Sequence, residues 1–168
     1  ADLVKEQMDK GLLDLGLLLE PIEMGKYEFI RLDMKERWVV LMPPDDSLVG
    51  KKHVKADELA KLPLILPRRM QVQSELASWF GDYYKNLNIL FTSNLSTNGA
   101  VMVSRGLAYS LVIEGAVPFW DSSKIVCRPL YPELMATCVL AWKREQPFSL
   151  AATKFIEYAK CFLSMNEP

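Results

Sequence analysis

Apolar residues along this chain fall into short runs separated by amphipathic stretches, and the two periods alternate from end to end. Residues 2–10 place Leu3, Val4, Gln7 and Met8 on one face at helical spacing, and Gly11 is a natural stop because glycine takes the left-handed backbone of a helix end. Residues 14–19 (DLGLLL) read as a strand buried on both faces, ended by Pro21. Strands are expected at 27–32 and 37–42, the second holding the bulky, β-branched run WVVLM. Pro43-Pro44-Asp45-Asp46 breaks the pattern. A helical turn or two at 55–61 follows, then a buried strand at 62–66 (LPLIL) closed by Pro67-Arg68-Arg69. Residues 74–87 predict a strong helix, with Leu76, Trp79, Phe80 and Tyr83 at i, i+3, i+4 and i+7. A strand at 88–93 leads into a helix capped by Ser96, carrying Ala100, Val101 and Val103 and ended by Gly106. Strands at 107–113, 125–128 and 136–142 follow, the last two flanking YPEL. Ser149 caps a final helix with Ala152, Phe155, Ile156, Ala159 and Leu163 on one face.

Strand–helix alternation implies an α/β fold with parallel sheets and helices on both faces. Residues 44–138 hold a complete set of alternating units, whereas 1–43 and 139–168 each hold part of one. The expected architecture is two Rossmann-like lobes. The second, 44–138, is inserted into the first, 1–43 and 139–168, which is incomplete. Two crossing strands, 36–43 and 136–143, join them.

Composition narrows the function classes. The chain has 168 residues, half of them hydrophobic, with a net charge of −1. Nucleic-acid binding draws on clustered Lys and Arg, so this chain alone is expected not to bind DNA specifically. No apolar run approaches the roughly 20 residues of a membrane span, and the charged opening ADLVKEQMDKG is no signal peptide, so a cytoplasmic location without membrane contact is expected. Cys127, Cys138 and Cys161 sit in apolar contexts and read as buried thiols, with a Cys127–Cys138 redox pair across a hairpin as the alternative. A single His53 and no CxxC give no metal site, and no cofactor is implied. The eight methionines are scattered, as core filler is.

Several ordered patterns carry a family resemblance. They are KGLLDLGL at 10–17, ERWVVLMPPDDSL followed by ADELAKLPLIL, and the aromatic helix SELASWFGDYY. Then come VMVSRGLAYSL at 101–111, the stretch from Arg128-Pro129-Leu130 through Ala141-Trp142-Lys143-Arg144, and SLAATKF at 149–155. In that order the chain, from Ala1 to about Met165, resembles the effector-binding domain of LysR-type bacterial transcription regulators. Ala108 stands where that family has a second glycine. The resemblance implies a type 2 periplasmic-binding-protein-like fold, a small-molecule effector, and association as a homodimer or homotetramer. DNA contact would come only through a helix-turn-helix outside this chain. It also implies that strand–helix–strand elements of the first lobe precede residue 2.

Ligands in open parallel sheets sit beyond the carboxyl ends of the strands. That rule selects Glu20, Pro67, Arg68, Arg69, Asn94, Ser96, Thr97 and Ile113, expected to converge on an inter-lobe cleft. Arg68 and Arg69 are either a solvated turn or a clamp for a carboxylate or phosphate, which would make the effector anionic. Ser96 is either an ordinary cap or part of an anion site at a helix start, where free N–H groups and the dipole attract negative charge. Asp14 reads as a local backbone cap. Trp79 and Phe80 read as helix core, and Pro118-Phe119-Trp120 as packing, a lid or a dimer contact. No G-x-S-x-G, Gly-rich phosphate loop or H-E-x-x-H is present, so the expected protein is not an enzyme. A transporter's solute-binding protein and an enzyme on the same bilobal fold remain the competing classes. An open edge at strand 14–19 is expected to promote self-association.

Overall fold

The computed structural model describes residues 2–165. It is a mixed α/β protein whose contacts divide it into two compact units, Ala1–Lys35 with Thr137–Pro168, and Glu36–Ala136. The expected joints at 43/44 and 138/139 fall just after one long strand and inside another.

The first unit holds helix α1 (Asp2–Asp9), strand β1 (Gly16–Leu19), the start of β2 (Tyr27–Met42), most of β8 (Met135–Lys143) and helix α5 (Leu150–Ser164). Gly11 ends the first helix at φ 70°, as its sequence context predicts. β1 runs antiparallel to β8, Gly16 opposite Ala141 and Leu19 opposite Cys138. α1 lies so close to β1 that a Cβ at Gly16 would stand 2.7 Å from Val4 Cγ1 and Met8 Sδ. Met8, Leu18, Tyr27, Val139 and Ala141 form the core of this unit. The expectation that β1 is buried on both faces fails, because Leu17 is 63% exposed. Asp14 does not cap its own backbone. It accepts from Ser149 Oγ at 2.9 Å, while that oxygen accepts the Ala152 N–H at 3.2 Å and caps α5. On α5, Ala152 and Ile156 turn inward, but Phe155 is 52% exposed, so the inward stripe is narrower than its sequence suggests.

The second unit is built on the end of β2. Its run Trp38–Met42 is fully buried between β6 (Tyr109–Ile113) and β7 (Val126–Tyr131), both antiparallel to it. Beyond β6 lies β4 (Pro63–Pro67), then β5 (Asn88–Ser93), all three mutually parallel. A short β3 (Val54–Lys55) pairs parallel with β7. Helices α2 (Ala56–Leu59), α3 (Met70–Phe80) and α4 (Ser96–Ser104) fill the connections. Val39, Leu41, Ala100, Val103, Val112 and Ile125 form a core cluster, with Val117, Trp120 and Cys127 against it.

Several local expectations change. The strands expected at 27–32 and 37–42 are one 16-residue strand. Its polar middle survives because backbone ladders, not side-chain polarity, define a strand. Glu36 and Arg37 also find partners: Glu36 accepts the Gly115 N–H at 2.9 Å, and Arg37 grips Glu114 at 2.7 and 2.8 Å. The helix expected at 74–87 starts at Met70 and stops at Phe80, where Gly81 at φ 56° turns the chain into a 3-10 segment. Tyr83 therefore leaves the helical face and is half exposed. Val101 is also half exposed, because Gly99 joins Ala100 and Val103 on the buried face of α4.

Cys161 is exposed, not buried. Cys127 lies opposite Leu41 on β2, and Cys138 opposite Leu19 on β1, so the two thiols are not partners across a hairpin. Burial and the nearby Glu114 carboxylate push the Cys127 thiol up, which favours its protonated form. Of the methionines, Met8 and Met42 fill cores, whereas Met24, Met70 and Met165 are exposed; the Met34 side chain lies outside the described residues. Among the described residues no helix is long and apolar enough to cross a membrane.

Candidate functional site

In the second unit, β6, β4 and β5 run parallel, so their carboxyl ends share one edge. The register pairs Pro67 with Ser93, and the Arg68 N–H continues the ladder to the Ser93 carbonyl at 2.9 Å. Each strand end then runs directly into a helical N-terminus: β4 into α3, β5 into α4, and β6 into a 3-10 segment, Glu114–Phe119. The first turns of α3 and α4 carry no acidic residue. Neither N-cap side chain makes a capping hydrogen bond, so the positive ends of both helices are left to solvent or to an anion.

The expected residues divide on this edge. Arg68, Asn94, Ser96 and Thr97 are exposed, and Pro67 and Ile113 are half-buried. Arg69 is 5% exposed, which rules out a solvated turn at that position. The two arginines are thus not one clamp: the first faces solvent and the second is part of the interior. Ser96 is not the N-cap of α4. Leu95 takes that place in extended geometry, and Ser96 is the first helical residue. The turn is instead held by Ser93, whose hydroxyl accepts the Leu95 N–H at 3.2 Å and donates to the Leu95 carbonyl at 2.8 Å. Ser96 is consequently free of a capping duty. Glu20 belongs to the other unit, where Arg31 binds it through two nitrogens at 2.8–3.2 Å.

Sequence reading missed Gln73. Its amide donates to the Pro67 carbonyl at 2.9 Å and fixes the β4–α3 corner. The only sequence signal was an amide in the first turn of a helix that begins earlier than its apolar period suggests. It also missed the Arg37–Glu114 pair, in which the guanidinium holds the Glu114 carboxyl below the usual carboxylate range. Partners 77 residues apart leave no local pattern. Among the described residues no group of three or more His, Cys, Asp or Glu side chains stands close enough to hold a metal ion.

Gly99 sets how closely α4 approaches β6. A Cβ there would meet Ser110 Oγ at 2.5 Å and Ser110 Cβ at 3.2 Å, and Ser110 is itself buried. Gly99→Ala is expected to cost about 1–3 kcal/mol through overpacking, against less than about 1 kcal/mol gained in helix propensity. Adding Ser110→Ala removes the closest atom and should restore part of the loss. Urea denaturation of both single variants and the double variant measures this coupling; strict additivity would contradict the close approach.

The second unit thus carries a parallel strand-end edge, and the chain leaves its first unit at Glu36 and re-enters it at Thr137. Comparison with known proteins gives the family. The family model of the LysR substrate binding domain matches residues 1–164. The Hca operon transcriptional activator HcaR of Escherichia coli (strain K12) is 26% identical over 147 residues, covering 83% of this chain and 48% of that protein. The uncharacterized HTH-type transcriptional regulator YvbU of Bacillus subtilis (strain 168) is 27% identical over 158 residues, covering 94% and 53%. The chain thus spans about half the length of these curated relatives. Among solved structures, the effector binding domain of QuiR in complex with shikimate superposes with a TM-score of 0.83 at 15% identity, covering 100% of this chain and 80% of that one, a likeness of fold alone. The chain belongs to the LysR substrate-binding-domain family; it is a regulatory, effector-binding domain of the LysR type.

Proposed function

We propose that this domain binds a small anionic effector at the strand-end edge of its second unit. Arg68 supplies the charge, and Ser96, Thr97, Asn94 and the N-terminus of α4 supply hydrogen-bond donors. The supporting observation is the conjunction of an exposed guanidinium with two uncapped helix N-termini on one parallel edge, none of them countered by a first-turn acid. Pro67 and Ile113 would form the apolar rim, and Arg69 would brace the corner from inside. Glu20, held by Arg31, would contribute only by reorganising that pair.

In this reading the whole protein is a cytoplasmic regulator and not an enzyme. It acts as a homodimer or homotetramer, and its DNA contacts come from a helix-turn-helix outside this chain. The two-lobe division, 1–43 with 139–168 and 44–138, is part of the same proposal. The effector would bias the regulator through its differential affinity for two conformations. Relatives that are transcription regulators support it, as does the shikimate-bound QuiR domain, whose ligand carries a carboxylate.

A thermal-shift screen of small carboxylates, beginning with shikimate, tests the reading on the 168-residue chain. A binder is expected, with affinity reduced roughly ten- to a hundred-fold by Arg68→Ala, the usual consequence of deleting one charge-assisted contact. An affinity unchanged by both Arg68→Ala and Ser96→Ala would place the polar wall of the effector site elsewhere.

A further inference from the structure

The first unit carries an open depression of about 270 Å³, lined by none of the strand-end residues discussed above. The start of β2 forms one wall with Tyr27, Glu28 and Phe29. The end of β8 contributes Trp142 and Arg144, α5 contributes Lys160, and Met24 closes the rim. Aromatic rings line it, with Tyr27 and Trp142 buried and Phe29 half-buried. The Trp142 indole N–H donates to Glu28 Oε2 at 3.1 Å, which fixes the ring and occupies part of that carboxylate.

Two cations face this site with little else to hold. The Lys160 ammonium lies 5.1 Å over the Trp142 ring and makes no hydrogen bond or ion pair to a described residue. Arg144 spends one nitrogen on the Tyr27 carbonyl at 3.4 Å, a long contact that leaves most of its five donors unused. Their neighbours differ: Lys5 and Lys26, which flank the same tyrosine, are ion-paired to Glu23 and Asp9.

We propose that this depression is a second binding site, for a small monocarboxylate. Two cations against one acid leave a net charge of +1, which favours a single negative charge and disfavours an amine. The Trp142 and Phe29 rings are themselves covered by cations, Lys160 at 5.1 Å and Arg31 at 5.4 Å, so the charge and not a free aromatic face selects the ligand. The volume suits roughly ten heavy atoms, at about 30 Å³ or somewhat less for each. A carboxylate between Lys160 and Arg144 would gain charge-assisted hydrogen bonds from both. The site is independent of the strand-end reading, since it uses none of the same residues and lies in a different unit from Arg68, Asn94, Ser96 and Thr97.

Benzoate is the probe and benzamide its neutral counterpart. Both are titrated at constant ionic strength into the 168-residue chain, with the Trp142 indole N–H followed by NMR and the other three tryptophans as internal references. The expected result is a saturating shift at Trp142 with a Kd roughly in the millimolar range, as an open site and so small a ligand imply. Benzamide should bind at least about fivefold more weakly. The Arg144→Gln/Lys160→Gln variant changes two exposed side chains, and unmoved reference indoles would show that it folds. It should weaken benzoate by about tenfold or more, while Arg68→Ala leaves the titration unchanged. Equal binding of benzamide, an absence of saturation at Trp142, or indifference to the double variant would overturn the proposal. Loss of benzoate binding in Arg68→Ala with retention in the double variant would overturn it too, and would leave the strand-end site standing.

Discussion

Phe80→Ala is expected to destabilise the second unit by about 3–5 kcal/mol, a large share of the 5–15 kcal/mol that holds a typical domain folded. Phe80 is 1% exposed at the end of α3, on the same buried face as Val72 and Leu76. Its ring meets the edge of Trp79 at 4.9 Å, and the Trp79 indole donates to the Pro132 carbonyl at 2.6 Å. Truncation therefore leaves a cavity beneath a tryptophan whose own anchor depends on staying in place. Phe119, 85% exposed in the 3-10 segment after β6, is the matched control, and Phe119→Ala should shift stability by no more than about 0.5 kcal/mol. Urea unfolding followed by near-ultraviolet circular dichroism compares the two. Equal midpoints would mean that the burial of Phe80 contributes nothing, against the packing described.

These two phenylalanines show what the sequence made legible. Phe80 sits in a run at helical spacing, and its burial follows from that period. WVVLM announces a buried strand as plainly, and the glycines at 11 and 106 mark helix ends where the chain takes positive φ. The strand-end rule also put Arg68, Asn94, Ser96 and Thr97 on one edge, because parallel order follows from strand–helix alternation. Other features depend on residues distant in sequence. Period alone could not show that Arg69 is interior while Arg68 is outside, since adjacent residues share every local signal. It could not show that Ser93, not Ser96, holds the β5–α4 turn, because both are small hydroxyl residues near the same boundary. Nor could it show which face of β1 is covered, because an all-leucine run has no alternation to read. The depression at Trp142 unites segments more than 110 residues apart, and no motif scan links Glu28 to Trp142.

Tyr27→Ala is expected to cost the first unit about 3–5 kcal/mol, and Tyr27→Phe about 1–2 kcal/mol. Tyr27 is fully buried at the centre of that unit's core, with Lys5 and Lys26 near its ring and its hydroxyl donating to Asp9 at 2.7 Å. The alanine loses ring and hydrogen bond together, while the phenylalanine keeps the ring and leaves Asp9 to Lys26. The same network fixes a pH response. Asp9 is held below its ordinary value of 3.8, chiefly by the hydrogen bond from Lys26; burial opposes the shift and the Tyr27 hydroxyl reinforces it. A carboxyl whose folded pKa lies below its unfolded one stabilises fully above the unfolded value, about 3.9, and that contribution is lost as pH falls through the folded pKa. The native chain should therefore lose stability from about pH 4 downward. Asp9→Asn should be less stable at neutral pH and flatter across the acid range. Tyr27→Phe should fall between, since one of the two hydrogen bonds holding the carboxylate is gone. Thermal midpoints of the four proteins between pH 2.5 and 7 measure this, and an Asp9→Asn profile parallel to that of the native chain would show that the acid loss arises at other carboxylates.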